Sequence, residues 1–95
     1  MLTLPATMTL RDATDVMRTL DQALQSEGGG AVVADASALQ QFDSSALAVL
    51  LECMRRAQAA RKSFAVQRAP AKLIELARLY GVEGLLALEP SSAAA

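Results

Sequence analysis

Hydrophobic positions along the chain follow two periods. Leu2 and Leu4 alternate with Thr3, and the short apolar runs at 31–34 and 64–66 are bounded by turn residues, which is how strands read. Elsewhere the spacing changes to three and four. Ala13, Val16, Met17, Leu20 and Leu24 form one helical stripe, and Leu47, Leu50, Leu51 and Met54 form a second. Leu73, Leu76, Ala77 and Tyr80, flanked by Ile74 and Leu79, form a third. Strand, helix, strand, helix, strand, helix predicts an α/β domain. Its sheet should hold about three to five strands, mixed or mostly parallel, with three crossover helices.

Breakers set the boundaries. Pro5 ends the first strand or places it at an edge. Thr9 caps the first helix, whose off-stripe residues Asp12, Asp15, Arg18, Asp21 and Gln22 should face water. The glycine triplet 28–30 follows a helix and precedes a strand, so it reads as a turn and not as a phosphate loop. The run 31–34 is apolar on both faces, which suits a strand covered on both sides. Pro70 opens the third helix and Gly81 closes it. Residues 85–88 read equally as a last strand or as a turn. The domain should span 1–88, with 89–95 a flexible tail.

The chain is organised around its middle. The central strand ends on Asp35, a polar loop follows, and Asp43-Ser44-Ser45 meets the second helical stripe. A helix start has backbone N–H groups without partners and carries the positive pole of the helix dipole. Asp43 and Ser44 can serve there as a cap alone, or Ser44 can be a regulated site, where a phosphate would also be favoured. On a helix over 44–60, Ala46, Leu47, Leu50, Leu51, Cys53, Met54 and Ala57 point inward or sideways. Ser44, Ala48, Glu52 and Arg55, with Arg56 and Ala59 beside them, make the outward row. Ala48 is small enough there for a second protein to approach closely.

Composition narrows the chemistry. With no histidine in 95 residues, a Ser-His-Asp or Cys-His arrangement and the common Cys/His zinc sites are impossible. The lone Cys53 cannot form an internal disulfide, fits a reducing compartment, and reads as a small buried hydrophobe. No apolar run approaches the ~20 residues of a membrane span, and residues 1–5 lack the features of a signal peptide. A cytoplasmic, non-enzymatic chain without cofactor or metal is expected. Residues 1–54 hold seven acids and two bases (−5), whereas 55–78 hold seven bases and only Glu75 (+6). That basic segment reads as a solvated surface or as a face for an acidic partner or anionic lipid. Its one aromatic residue, Phe64, belongs to the apolar strand run at 64–66 and does not interleave with the bases as a stacking platform would, so nucleic acid is not expected.

Asp43-Ser44-Ser45-Ala46-Leu47 after a strand ending in Asp resembles the signature of the STAS domain family, with Ala46 where glycine is usual in anti-sigma-factor antagonists. The resemblance runs over most of the chain. The third helix, Leu73-Ile-Glu-Leu-Ala-Arg-Leu-Tyr-Gly-Val82 followed by Leu85-Leu86, resembles the MlaB-like branch, the STAS subunit of the lipid-asymmetry ABC transporter. The short N-terminus leaves no room for the extra first strand of many STAS domains. What the resemblance implies is a STAS-like sheet and docking on the transporter's ATPase (MlaF-like), and through it, indirectly, on the membrane permease. The chain would then be peripheral to the inner membrane without inserting. Asp43, Ser44, Ser45, Ala48, Glu52 and Arg55 would form the contact. The alternative is an anti-sigma-factor antagonist phosphorylated at Ser44, and a lipid- or nucleotide-sensing STAS domain is a further rival. Self-association is left open.

Overall fold

A computed structural model describes residues 2–26 and 30–90. In chain order the elements are β1 (Leu2–Thr3), β2 (Thr7–Met8), α1 (Ala13–Ser26), β3 (Ala31–Asp35), β4 (Gln41–Phe42), α2 (Ser44–Ala59), β5 (Ser63–Ala69), α3 (Ala71–Leu79), α4 (Glu83–Leu86) and β6 (Leu88–Pro90). The main sheet has the order β1-β3-β5-β6, and β2 and β4 form a separate pair. Every ladder is parallel. Parallel neighbours cannot be joined by a hairpin, so each step across the sheet carries a helical crossover. This is the small α/β architecture the periodicity predicts, with one helical turn more than the three helices expected.

The sheet is one-sided. Val32 and Ala34 of β3 and Phe64 and Val66 of β5 are buried under the helices, whereas Ala31 is exposed and Val33 and Ala65 are half-buried. The expectation that the central strand is covered on both faces is therefore corrected. Strands taken in monotonic order with crossovers of one hand place their helices on one face. Ala31 and Val33 are small enough to leave the other face apolar without cost.

The helices answer their stripes with two exceptions. Val16, Leu20 and Leu24 of α1 are buried as expected. On α2, Ala46, Leu47, Leu50, Cys53 and Ala57 are buried, Leu51 and Met54 are half-buried, and Val49 joins the core. Val49 is covered because α2 packs on two partners, the sheet beneath and α1 beside it. On α3 only Leu73 and Ala77 are buried, Ile74 and Leu76 are half-buried, and Leu79 and Tyr80 are 80% and 58% exposed. Tyr80 thus leaves the stripe in which the spacing placed it. The helix stops at Leu79, and the next fully buried residue along the chain is Leu86 of α4, an element that packs against both α2 and α3.

Residues 85–88 are neither of the simple alternatives. Leu85 and Leu86 close the single turn of α4, Ala87 takes a left-handed conformation (φ 49°), and the strand starts at Leu88 and runs to Pro90. Residues 91–95 of the expected tail, and Gly28 and Gly29 of the expected turn, lie outside the described residues.

Candidate functional site

Asp43 is where the second helix is built. It follows directly on β4, takes an extended conformation, and its Oδ1 accepts from the Ser45 N–H at 2.9 Å. Its Oδ2 accepts from the Leu10 N–H at 3.2 Å. One carboxylate therefore caps α2 and clasps the turn that leads into α1. These two N–H groups, Ser45 first and Leu10 second, hold the Asp43 carboxyl below its ordinary pKa. With Asp43 so occupied, Ser44 is the first residue of α2 and is exposed.

Ser44 borders a groove between α2 and α3 lined by Phe42, Asp43, Lys72, Glu75, Leu76, Leu79 and Tyr80. Leu79 and Tyr80 give this groove an exposed apolar lip. Ser45 is half-buried and turns the other way, toward a groove between α1 and α2 that Ala48 and Glu52 also line. The expected outward row is therefore a ridge between two grooves. Ser44 belongs to the α3 side, while Ser45, Ala48 and Glu52 belong to the α1 side. Arg55 is exposed further along.

Glu52 and Arg55 are engaged with neighbours. Glu52 is half-buried and accepts from Arg55 at 2.7 Å and from Arg56 at 3.0 Å, and Arg56 in turn reaches Asp21 of α1 at 2.8 Å. Hydrogen bonding to Arg56 chiefly holds the Glu52 carboxyl below its usual range. Asp21, expected to face water, is instead half-buried in this inter-helix pair. A contact between residues so far apart in sequence leaves no trace in helical spacing.

The remaining candidate chemistry resolves into structure. Asp35 accepts from the Ser37 N–H at 3.0 Å and from Arg68 at 3.2 Å, so it ties down the loop after β3. The Ser37 bond is the main reason its pKa is lowered. Arg68 stands at φ 56° where the β5–β6 register shifts, and this bulge aims its side chain back at Asp35. Burial pushes the Cys53 thiol up to about 11, which makes it unreactive. Asp12 accepts from the Thr9 hydroxyl at 2.8 Å, and Asp15 pairs with Arg18 at 3.7 Å. Among the described residues no group of three His, Cys, Asp or Glu could hold a metal ion, and no helix is long and apolar enough to cross a membrane.

The basic segment is less available than its count suggests. Arg55, Arg56, Arg68 and Arg78 are each paired with a carboxylate, the last with Glu83 at 3.0 Å. Sequence reasoning missed Leu10, Phe42, Leu79 and Tyr80 as groove residues. Leu10 stands just outside the α1 stripe, a large apolar residue between a cap and a charge, and that was its one signal.

Comparison with curated proteins finds no match. A family model described as Mlab, STAS domain matches residues 1–88. That span takes in every element from β1 through the start of β6, including the capped start of α2. Together with the one-sided parallel sheet, the match identifies the chain: it belongs to the STAS domain family.

Proposed function

We propose that the chain is a non-enzymatic docking subunit that binds the ATPase of a phospholipid-trafficking ABC transporter maintaining outer-membrane lipid asymmetry. The observation that carries this reading is the exposed Ser44 at the start of α2, with Leu79 and Tyr80 standing exposed across the adjoining groove. Exposed aromatic and aliphatic side chains around a small polar centre suit a protein partner, since such anchors dominate interface energetics. The capping role of Asp43 keeps the helix start rigid, so little order has to be gained on binding. The family match, by its Mlab description, supports the transporter branch.

In this reading Ser44 and the α2 ridge of Ala48, Glu52 and Arg55 contact the ATPase, while Asp43 and Ser45 hold the helix start in place. The subunit stabilises the arrangement of the ATPase that it binds best, and so raises the population of that arrangement. It needs no nucleotide of its own. The chain works on the cytoplasmic side of the inner membrane, held there through the transporter.

Affinity capture of the tagged full chain from detergent-solubilised inner membranes, read by mass spectrometry, tests the proposal. An ATPase accompanied by integral membrane subunits is expected. A kinase without transporter subunits would reverse the reading in favour of partner switching. A Ser44 phosphate would then add about −1.5 to −2 charges beside Asp43 and break the interface.

A further inference from the structure

We infer, on the docking reading above, that the groove beside Ser44 receives an amphipathic helix of the partner protein, and that Lys72 and Glu75 set its register by pairing with one acid and one base upon it. The α3 wall of the groove is a single helical face. Lys72, Glu75, Leu76, Leu79 and Tyr80 follow one another at i, i+3, i+4, i+7 and i+8. At the helical rise that face is about 12 Å long, or roughly two turns. It is charged at its start and apolar at its end, and half-buried Phe42 stands with Ser44 on the opposite wall.

Charge complementarity selects the occupant. Lys72 and Glu75 are exposed and spaced to pair with each other, yet neither makes an ion pair or side-chain hydrogen bond with any described residue. Arg78, on the same helix, is by contrast held by Glu83 at 3.0 Å. Two open charges of opposite sign, one turn apart, discriminate against a partner of one sign. An anionic lipid surface drawn to Lys72 would meet Glu75 and the Asp43 carboxylate in the same groove. A protein segment carrying both signs meets neither penalty. Among the described residues four large apolar side chains are exposed, and two of them, Leu79 and Tyr80, stand beyond the charged pair. They call for an apolar residue one turn further along the same segment.

A helix suits this wall better than an extended segment. Its backbone groups are satisfied internally, and its side chains recur about every 5.4 Å, in step with those of α3. The partner helix therefore presents acid, base and apolar residue at one-turn intervals: the acid on Lys72, the base on Glu75, and the apolar residue between Leu79, Tyr80 and Phe42. Two turns make a small contact, so the groove contributes orientation and choice of partner to the interface around Ser44 more than it contributes affinity.

Carbodiimide treatment of the complex captured with the tagged full chain joins amines to carboxylates in contact, and mass spectrometry of the digest identifies the joined residues. Lys72 should be joined to an Asp or Glu of the ATPase that has a Lys or Arg, and then an apolar residue, at successive turns of one helix. Lys72→Glu and Glu75→Lys should each lower ATPase recovery by about tenfold or more. The double exchange keeps the net charge but presents the wrong sign at both positions, and it should lose the ATPase too. Arg61→Glu, just past the other end of α2, alters the net charge as much as Lys72→Glu and should leave recovery unchanged. All three positions are exposed, and far-ultraviolet circular dichroism checks that each variant is folded; should one fail to fold, the cross-link carries the test. Normal recovery with the double exchange overturns the inference, as does a captured complex in which Lys72 is joined to no ATPase carboxylate. If Ser44→Glu loses the ATPase while the double exchange retains it, this inference fails and the docking reading stands. If the wild-type chain captures no ATPase, both fail.

Discussion

The clearest energetic test lies at two helix ends that share one motif and differ in one residue. At the end of α2 the Lys62 N–H bonds to the Ala57 carbonyl at 2.8 Å and the Arg61 N–H to Gln58 at 2.9 Å. At the end of α3 the Val82 N–H bonds to Ala77 at 2.9 Å and the Gly81 N–H to Arg78 at 3.1 Å. Both are Schellman closures, which need a left-handed residue just past the cap. Gly81 takes that conformation at φ 72°, and Arg61 takes it at φ 61°. A side chain there costs about 1–2 kcal/mol, part of which is offset because glycine loses more chain entropy on folding. No atom lies within 4 Å of a Cβ added at Gly81, so the cost of Gly81→Ala is purely conformational.

Gly81→Ala should therefore destabilise the chain by about 1 kcal/mol, and Arg61→Gly should stabilise it by about 0.5–1 kcal/mol. For a domain of this size that is a fall in Tm of about 4–8 °C for the first variant and a rise of about 2–8 °C for the second. Thermal melts followed by circular dichroism measure both, and urea midpoints at unchanged slope confirm that only the folded state's stability moved. A neutral Gly81→Ala, or an Arg61→Gly that lowers Tm, would refute the reasoning. In the proposed docking reading the pair bears on binding too, because Tyr80 stands immediately before Gly81 in the α3 closure.

Other consequences are simpler. Leu50 is fully buried, so Leu50→Ala should cost ~2–5 kcal/mol and lower cellular abundance, seen by chemical denaturation and by immunoblot. Hydrogen bonds from the Ser37 N–H to Asp35, and from the Ser45 and Leu10 N–H groups to Asp43, hold both carboxyls below the ordinary aspartate value of 3.8. Their contribution is therefore fully present above that value and is lost as pH falls through the lower folded value. Tm followed across an acid titration should begin to fall below about pH 4, and the double Asn variant should show a flatter acid limb. Leu79→Ala and Tyr80→Ala remove exposed side chains, so each should change stability by no more than about 0.5 kcal/mol while reducing the ATPase recovered by affinity capture. Unchanged recovery from the double variant would remove the α2–α3 groove from the interface.

Long-period features were legible in the sequence, and short or distant ones were not. The helices α1 and α2 announce themselves because each repeats its period several times, and the strands β3 and β5 because each is an apolar run bounded by turn residues. The two-residue strands β2 and β4 repeat nothing, and only their pairing makes them strands. The capped start of α2 was readable at Asp43-Ser44-Ser45, since capping is a local preference. Its second bond, to Leu10, joins residues 33 apart and could not be read. Tyr80 was misplaced for a physical reason: spacing extends a stripe for as long as apolar residues recur, whereas the helix ends where its closure begins. Past that closure the chain returns to the core at Leu86, which is fully buried.

Copurification of the ATPase with the Ser44→Glu chain addresses the docking claim most directly. Ser44 is exposed at a helix start, where an added carboxylate suits the helix dipole and leaves the fold intact. The account predicts a chain of native circular dichroism and normal Tm that no longer brings down the ATPase. Full recovery of the ATPase with that same folded chain would contradict it.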